Sequence, residues 1–181
     1  MRAPKTSRRL VVDTNVARSA GESQHPVSDA CRQVMETMFN EQHQVVLSAT
    51  QFMEWQKHQS GYSKRWLVRM KAKKLWCVLS PEPDSGLAAR AKEIPCAEEV
   101  RQEILKDLHL LENALATDRV VLSMETNVFR LFATYKKALK VPRAVAWVNP
   151  TDDAAACMAW LLAGAAVDSA KVRCVPASSP A

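Results

Sequence analysis

Apolar runs rich in β-branched residues recur along the chain at residues 10–12, 45–47, 75–79, 120–122 and 144–148, each short and bounded by polar or turn residues. Such runs predict strands. Between them, apolar positions return every three or four residues and predict helices over 28–40, 50–59, 62–72, 96–116, 127–138 and 153–163. Strands and helices alternating at this length place the chain in the α/β class, as a sandwich around a central, mostly parallel five-stranded sheet. Sites in such folds form at the carboxyl ends of the strands. Segment 80–95, SPEPDSGLAARAKEIP, holds three prolines and a glycine and predicts an exposed connection with one helical turn. Residues 1–7 are expected to form a basic N-terminal tail, 8–165 one domain, and 166–181 a frayed C-terminal tail.

The strand ends carry the chemistry. Run 10–12 stops on Asp13, Thr14 and Asn15, a carboxylate, a hydroxyl and an amide in succession. A buried carboxylate costs several kcal/mol unless something pairs with it. Run 120–122 ends in the same way, on Ser123, Glu125, Thr126 and Asn127, where Ser123 or Thr126 would equally serve as a helix cap. Glu54 lies seven residues beyond Leu47, at most about two helical turns past a strand end, and can reach back over the same edge. Taken alone it is an ordinary surface glutamate. In 96–116, Val100, Ile104, Leu108, Leu111 and Leu115 form one buried stripe, and Asp107 falls about 60° from its centre, facing partly inward. A new helix starting there would instead make Asp107 its cap. His109 is directed elsewhere on that helix, packed or exposed rather than catalytic. Carboxylates converging at one point repel and raise one another's pKa unless a cation holds them. Oxygen ligands with hydroxyl and amide support suit Mg²⁺ or Mn²⁺.

The 181 residues, 48% of them apolar, are enough for the core of one domain. No apolar run approaches the roughly 20 residues of a membrane span and the basic N-terminus lacks a signal-type apolar stretch, so a cytoplasmic protein without membrane association is expected. The five cysteines are odd in number and contain no CxxC pair, which predicts reduced thiols. A net charge of +6 fits a polyanionic partner. Between residues 64 and 74 stand Lys64, Arg65, Arg69, Lys71, Lys73 and Lys74 with no acid, and a second group comprises Arg130, Lys136, Lys137, Lys140 and Arg143. Either group alone is equally a solvated helical face. Trp55, Tyr62 and Trp66 are candidates to stack on unpaired bases, core packing being the alternative. With only four glycines there is no GxxxxGK[ST] loop or GxGxxG turn, and VVDTNV has no second aspartate two residues on, which argues against chemistry on small phosphates.

The stretches LVVDTNV, VVLSATQFMEW, KDLHLLENALATDRVVLSMETNVF and AVAWVNP resemble, in order and spacing over about residues 8–165, the PIN (PilT N-terminus-like) nuclease domain. The resemblance implies a three-layer α/β/α sandwich and a divalent-metal-dependent endoribonuclease that hydrolyses phosphodiester bonds of single-stranded RNA, less often DNA, with Mg²⁺ or Mn²⁺. It implies Asp13, Glu54, Asp107 and Glu125 as the catalytic acids. Asp13, Asp107 and Glu125 would ligate the metal, with Glu54 direct or through water, and Thr14, Asn15, Ser123 and Asn127 would give polar support. Arg18 and the cations from Lys64 to Lys74 would hold the strand. The toxin-like members imply an antitoxin protein as partner, and a homodimer is left open. The family usually has aspartate where Glu125 stands, and often another acid where Asn127 stands. Those departures support a rival reading, a PIN-like nucleic-acid-binding or assembly domain with weakened catalysis.

Overall fold

The computed structural model describes residues 6–169 and 172–178. Residues 1–5 of the expected N-terminal tail lie outside the described residues, as do 170, 171 and 179–181 of the C-terminal one. In chain order the elements are β1 (Arg9–Val12), α1 (Thr14–Ser19), α2 (Pro26–Asn40), β2 (Gln44–Ser48), α3 (Ala49–His58), α4 (Gly61–Ala72), β3 (Trp76–Leu79), α5 (Leu87–Lys92), α6 (Glu98–Leu115), β4 (Val120–Leu122), α7 (Thr126–Thr134), α8 (Lys136–Leu139), β5 (Val145–Val148), α9 (Ala154–Leu162) and β6 (Cys174–Val175). The strands form one sheet in the order β3-β2-β1-β4-β5-β6. β1 to β5 run parallel.

The sheet has six strands rather than five, because β6 pairs antiparallel with β5 through Val145–Val175 and Ala146–Cys174. The C-terminal segment is therefore not frayed at that point, and Val175 is fully buried. Two residues carry no periodicity of their own; the pairing edge of β5 defines the strand. The helix expected over 127–138 divides into α7 and α8 around Tyr135. α1 was not foreseen, since six residues are too few to show a stripe.

Side chains alternate across the strands, which sorts the core into two halves. Leu10, Val12, Val45, Leu47, Val120 and Leu122 join residues of α1 to α4 and α9. Val11, Val46, Val121, Val145 and Trp147 join residues of α5 to α8. Helices therefore cover both faces of the sheet. Trp55 and Trp66 are fully buried in the first half, and their indole N–H groups donate to the Val12 and Met35 carbonyls at 3.0 and 2.8 Å. Neither can stack on a base. Tyr62, half-buried, donates its hydroxyl to Glu36 at 2.6 Å.

Parallel strands put like ends on the same rim, and charge follows strand direction. Asp13, Glu82 and Glu125 come just after β1, β3 and β4, whereas Lys73 and Lys74, Arg119, and Arg143 come just before β3, β4 and β5. These acids and these basic residues therefore stand on opposite rims. Among the described residues no helix is long and apolar enough to cross a membrane, and all five cysteines are free.

Candidate active site

β1 ends where Asp13 donates its backbone N–H to the Leu122 carbonyl of β4 at 2.9 Å. Asp13 then caps α1 from extended backbone, its Oδ1 accepting the Asn15 N–H at 3.3 Å. Its Oδ2 accepts the Ser123 hydroxyl at 2.6 Å. Ser123 Oγ in turn accepts the Glu125 N–H at 3.0 Å, and Asn15 Oδ1 accepts the Met124 N–H at 3.3 Å. The two polar clusters seen in sequence thus interlock across the β1–β4 boundary. Asp13 is only 8% exposed. Burial raises its pKa, outweighing the hydrogen bonds from Ser123 and Asn15 that favour the charged form.

The first turns of α3 are fixed by a buried polar network. Gln51 Nε2 donates to the Val12 carbonyl at 2.6 Å, beside the Trp55 indole on the same oxygen. Asn113 of α6 donates to Ser48 Oγ and Gln51 Oε1, both at 3.1 Å. Gln51, Ser48 and Asn113 are essentially inaccessible, so each lost bond would leave a buried polar atom unpaired. This lock orients Glu54, whose Oε2 accepts the Thr14 hydroxyl at 3.3 Å and lies 3.4 Å from His109 Nε2. Glu54 is therefore not an isolated surface glutamate. The adjoining His109 holds its pKa below the usual value, and that of His109 is raised because Glu54, with Asp107 and Asp13, outweighs the cost of burial.

His109 is thus turned toward the site, against the sequence expectation. The single-stripe wheel misplaces it because the second half of α6 is enclosed on more than one flank: Leu108, Leu110, Leu111, Asn113 and Ala114 are all buried. His109 and Asn113, one turn apart, face α3. Asp107 sits mid-helix in α6 and is no cap. No described residue donates a hydrogen bond to its carboxylate, and burial lifts its pKa to about 6, with Asp13 and Glu54 adding and Lys106 and His109 opposing.

Asp13, Glu54, Asp107 and Glu125 line one cavity of about 210 Å³ together with Thr14, Asn15, Arg18, His58 and Lys106. Four acids from distant segments therefore share one opening on the acidic rim. Their donors are all oxygen, which suits a hard divalent cation. Among the described residues, however, no group of three or more His, Cys, Asp or Glu stands at ligating distance from a common point. The acids share a cavity without forming a closed cage.

Other expectations are corrected. Asn127 does not support Asp13; its amide donates to Glu103 at 2.6 Å, because it lies in the first turn of α7 alongside α6. Of the seven cations assigned to a nucleic-acid strand, only Arg18 lines the cavity. Arg65 pairs with Glu22, Arg69 with Glu36 at 2.6 Å, and Lys71 lies over the Trp76 ring at 4.5 Å. Lys64 is near the start of α4, whereas Lys73 and Lys74 come after its end, on the basic rim. His58 and Lys106, which no sequence pattern marked, stand beside Arg18 instead. No protein-family model, curated protein or solved structure matches this chain.

Proposed function

We propose that this chain is a PIN-like, three-layer α/β/α nuclease that hydrolyses phosphodiester bonds of single-stranded RNA with the help of Mg²⁺ or Mn²⁺. The observation that carries the reading is the shared cavity of Asp13, Glu54, Asp107 and Glu125 at the carboxyl ends of parallel strands. Nothing in a stable scaffold requires Asp13 and Asp107 to sit where burial raises the cost of their charge. Asp13, Asp107 and Glu125 would hold the cation, with Glu54 nearest to joining them. A divalent ion so held supplies Lewis acidity toward a phosphoryl oxygen and toward water.

The chain's own residues do the positioning. Ser123 and the Asn15 N–H fix both oxygens of Asp13, so its direction is set before a ligand arrives. Arg18, His58 and Lys106 on the cavity wall are placed to meet phosphate oxygens of a bound strand. His109 lies 3.4 Å from Glu54, and its pKa is raised, so when protonated it offsets part of the Glu54 charge and limits the repulsion among the acids.

The test is cleavage of labelled single-stranded RNA with Mn²⁺, comparing wild type, Asp13→Asn and excess chelator. Activity is expected in the first and a loss of at least about 100-fold in the other two. Hydrolysis surviving either treatment overturns the reading. A second reading, a nucleic-acid-binding or assembly domain with weakened catalysis, is favoured by the lack of a closed ligand cage and by Asn127 engaging Glu103. It predicts salt-sensitive RNA binding without cleavage. An antitoxin partner or a homodimer would belong to the toxin-like form of the first reading.

A further inference from the structure

Three of the five residues of the second cationic group, Lys136, Lys137 and Arg143, come together with Arg119 on the basic rim. These four line a concavity of about 810 Å³, closed on one side by residues 176–178 beyond β6. Among the described residues its lining holds no carboxylate. Asp118, next in sequence to Arg119, is already engaged by Arg9, whose backbone N–H and guanidinium donate to it at 2.7 and 2.8 Å. Asp168, which is exposed, acts on the Cys174 thiol, where its effect opposes that of Arg119. Among the described residues Arg119 donates to the Ala144 carbonyl at 3.3 Å and Arg143 to that of Leu115 at 3.4 Å, neither of them to a carboxylate. Neither lysine ammonium has an acceptor among the described residues, although Lys136 is half-buried.

Four cations stand around one hollow, Lys136 and Arg119 half-buried among them. Among the described residues none of the four has an ion pair, so an anion from outside is the group that would neutralise them. Two guanidinium forks and two ammonium groups in one concavity match the several oxygens of linked phosphates better than a single carboxylate. We propose that this concavity is a binding site for a phosphate-bearing ligand, either the backbone of a nucleic acid or the polyphosphate of a free nucleotide. It is separate from the acidic cavity: β4 and β5, of three and four residues, put about 10–13 Å of strand between the two rims. The proposal does not require the nuclease reading.

The experiment uses the full chain in excess chelator, so that no cleavage occurs, with a fluorescein-labelled 20-residue oligouridylate and, separately, tripolyphosphate as probes. In Lys136→Gln/Lys137→Gln two phosphate contacts are removed. At a slope of about 0.7 per contact for single strands, oligouridylate binding at about 0.1 M salt is expected to fall about 25-fold, and its salt dependence to lessen by about 1.4. Lys73→Gln/Lys74→Gln removes the same charge elsewhere on the basic rim and is expected to change affinity less than about threefold. Arg143→Gln, at an exposed position, is a second variant that leaves the core untouched and should weaken binding in the same direction. Direct binding of tripolyphosphate that the 136/137 variant loses, with displacement of the RNA, identifies a free polyphosphate as a ligand. RNA binding without tripolyphosphate binding identifies the nucleic-acid backbone. Equal losses in the two lysine pairs, or no loss in the 136/137 pair, overturn the site. Because Asp13→Asn should retain this binding while losing cleavage, failure of one proposal is distinguishable from failure of the other.

Discussion

Asp107 gives the most direct measure of what the acidic cavity costs the fold. Burial lifts its pKa from 3.8 to about 6, Asp13 and Glu54 add to that, and no hydrogen bond to its carboxylate offsets it. At about 1.4 kcal/mol per pH unit, the full difference corresponds to about 3 kcal/mol of destabilisation. Asp107 is partly open to solvent, so about 1–2 kcal/mol is the expected remainder after screening. The sign follows from linkage. Between the two pKa values the folded state keeps a proton that the unfolded chain has released, so stability falls as pH rises from about 4 to about 6 and the cost is complete above that. Asp107→Asn removes the charge with little change in shape or helix propensity. In metal-free protein it should raise the unfolding free energy by about 1–2 kcal/mol near pH 7.5 and leave it unchanged near pH 4. Urea titrations followed by fluorescence of the buried Trp55, Trp66 and Trp147 would read both values. An equal gain at both pH values would refute the electrostatic reasoning, and a loss near pH 7.5 would mean that the carboxylate has a favourable partner in the folded state. Saturating Mn²⁺ should then reverse the order, stabilising wild type by about 2.7 kcal/mol at 100 times its dissociation constant and the variant less.

Three further outcomes are expected. Trp55→Phe removes one donor from the Val12 carbonyl while Gln51 keeps the other; it should cost about 1 kcal/mol in denaturant titration and leave RNA affinity unchanged, since the indole is buried. Asn113→Leu leaves Gln51 Oε1 without its donor and removes one of the two from Ser48 Oγ, which keeps the Gln51 N–H at 3.4 Å. It should cost about 1–3 kcal/mol and also lower cleavage, because the lock that orients Glu54 loosens. His109→Gln breaks the contact with Glu54, which is 38% exposed, so the loss should stay below about 1 kcal/mol after screening. The Glu54 pKa is lowered and the His109 pKa raised, so the pair stabilises between them. The difference from wild type should be largest between the ordinary carboxylate and imidazole ranges, fading as pH falls through the lowered Glu54 value and as it rises through the raised His109 value.

How much of this was legible in the sequence depended on how each signal is encoded. The five parallel strands lie close to the apolar runs that predicted them; β1, β2, β4 and β5 are buried on both faces and must be continuously apolar, whereas β3 is an edge strand with Trp76 and Val78 exposed. β6 was invisible because it exists only as a partner to β5. Asp13, Thr14, Asn15 and Ser123 were legible because strand ends fix side-chain placement locally, and they interlock as two adjacent parallel strands require. Residues on α6 were harder. A helical wheel assumes one buried face, yet this helix meets the sheet on one flank and α3 on another, which is why the wheel left Asp107 between an inward-facing and a capping position and allowed His109 to be packed without directing it at Glu54. Gln51 and Asn113 gave no signal at all, since polar residues on a helix look solvent-facing until a buried partner is known.

The cations show why composition misleads about location. A run such as Lys64 to Lys74 follows one helix from rim to rim, so its charge is spread over about 18 Å of axis rather than gathered at a site. Strand direction is the better guide. In a parallel sheet every residue that follows a strand shares one rim and every residue that precedes one shares the other. The acids after β1 and β4, Asp13 and Glu125, therefore meet in one cavity, and the basic residues before β4 and β5, Arg119 and Arg143, meet in the opposite one. The field of such a molecule is polar from rim to rim. A polyanion approaching from solution is drawn first to the basic end and repelled from the acidic one. On the proposed nuclease reading, access of RNA to Asp13 would rest on local cations, Arg18, His58 and Lys106, and on neutralisation of the acids. Divalent cation should therefore increase RNA occupancy of the acidic cavity even under conditions where cleavage is blocked by Asp13→Asn, and RNA crosslinking to Lys106 that is indifferent to the ion would contradict this picture.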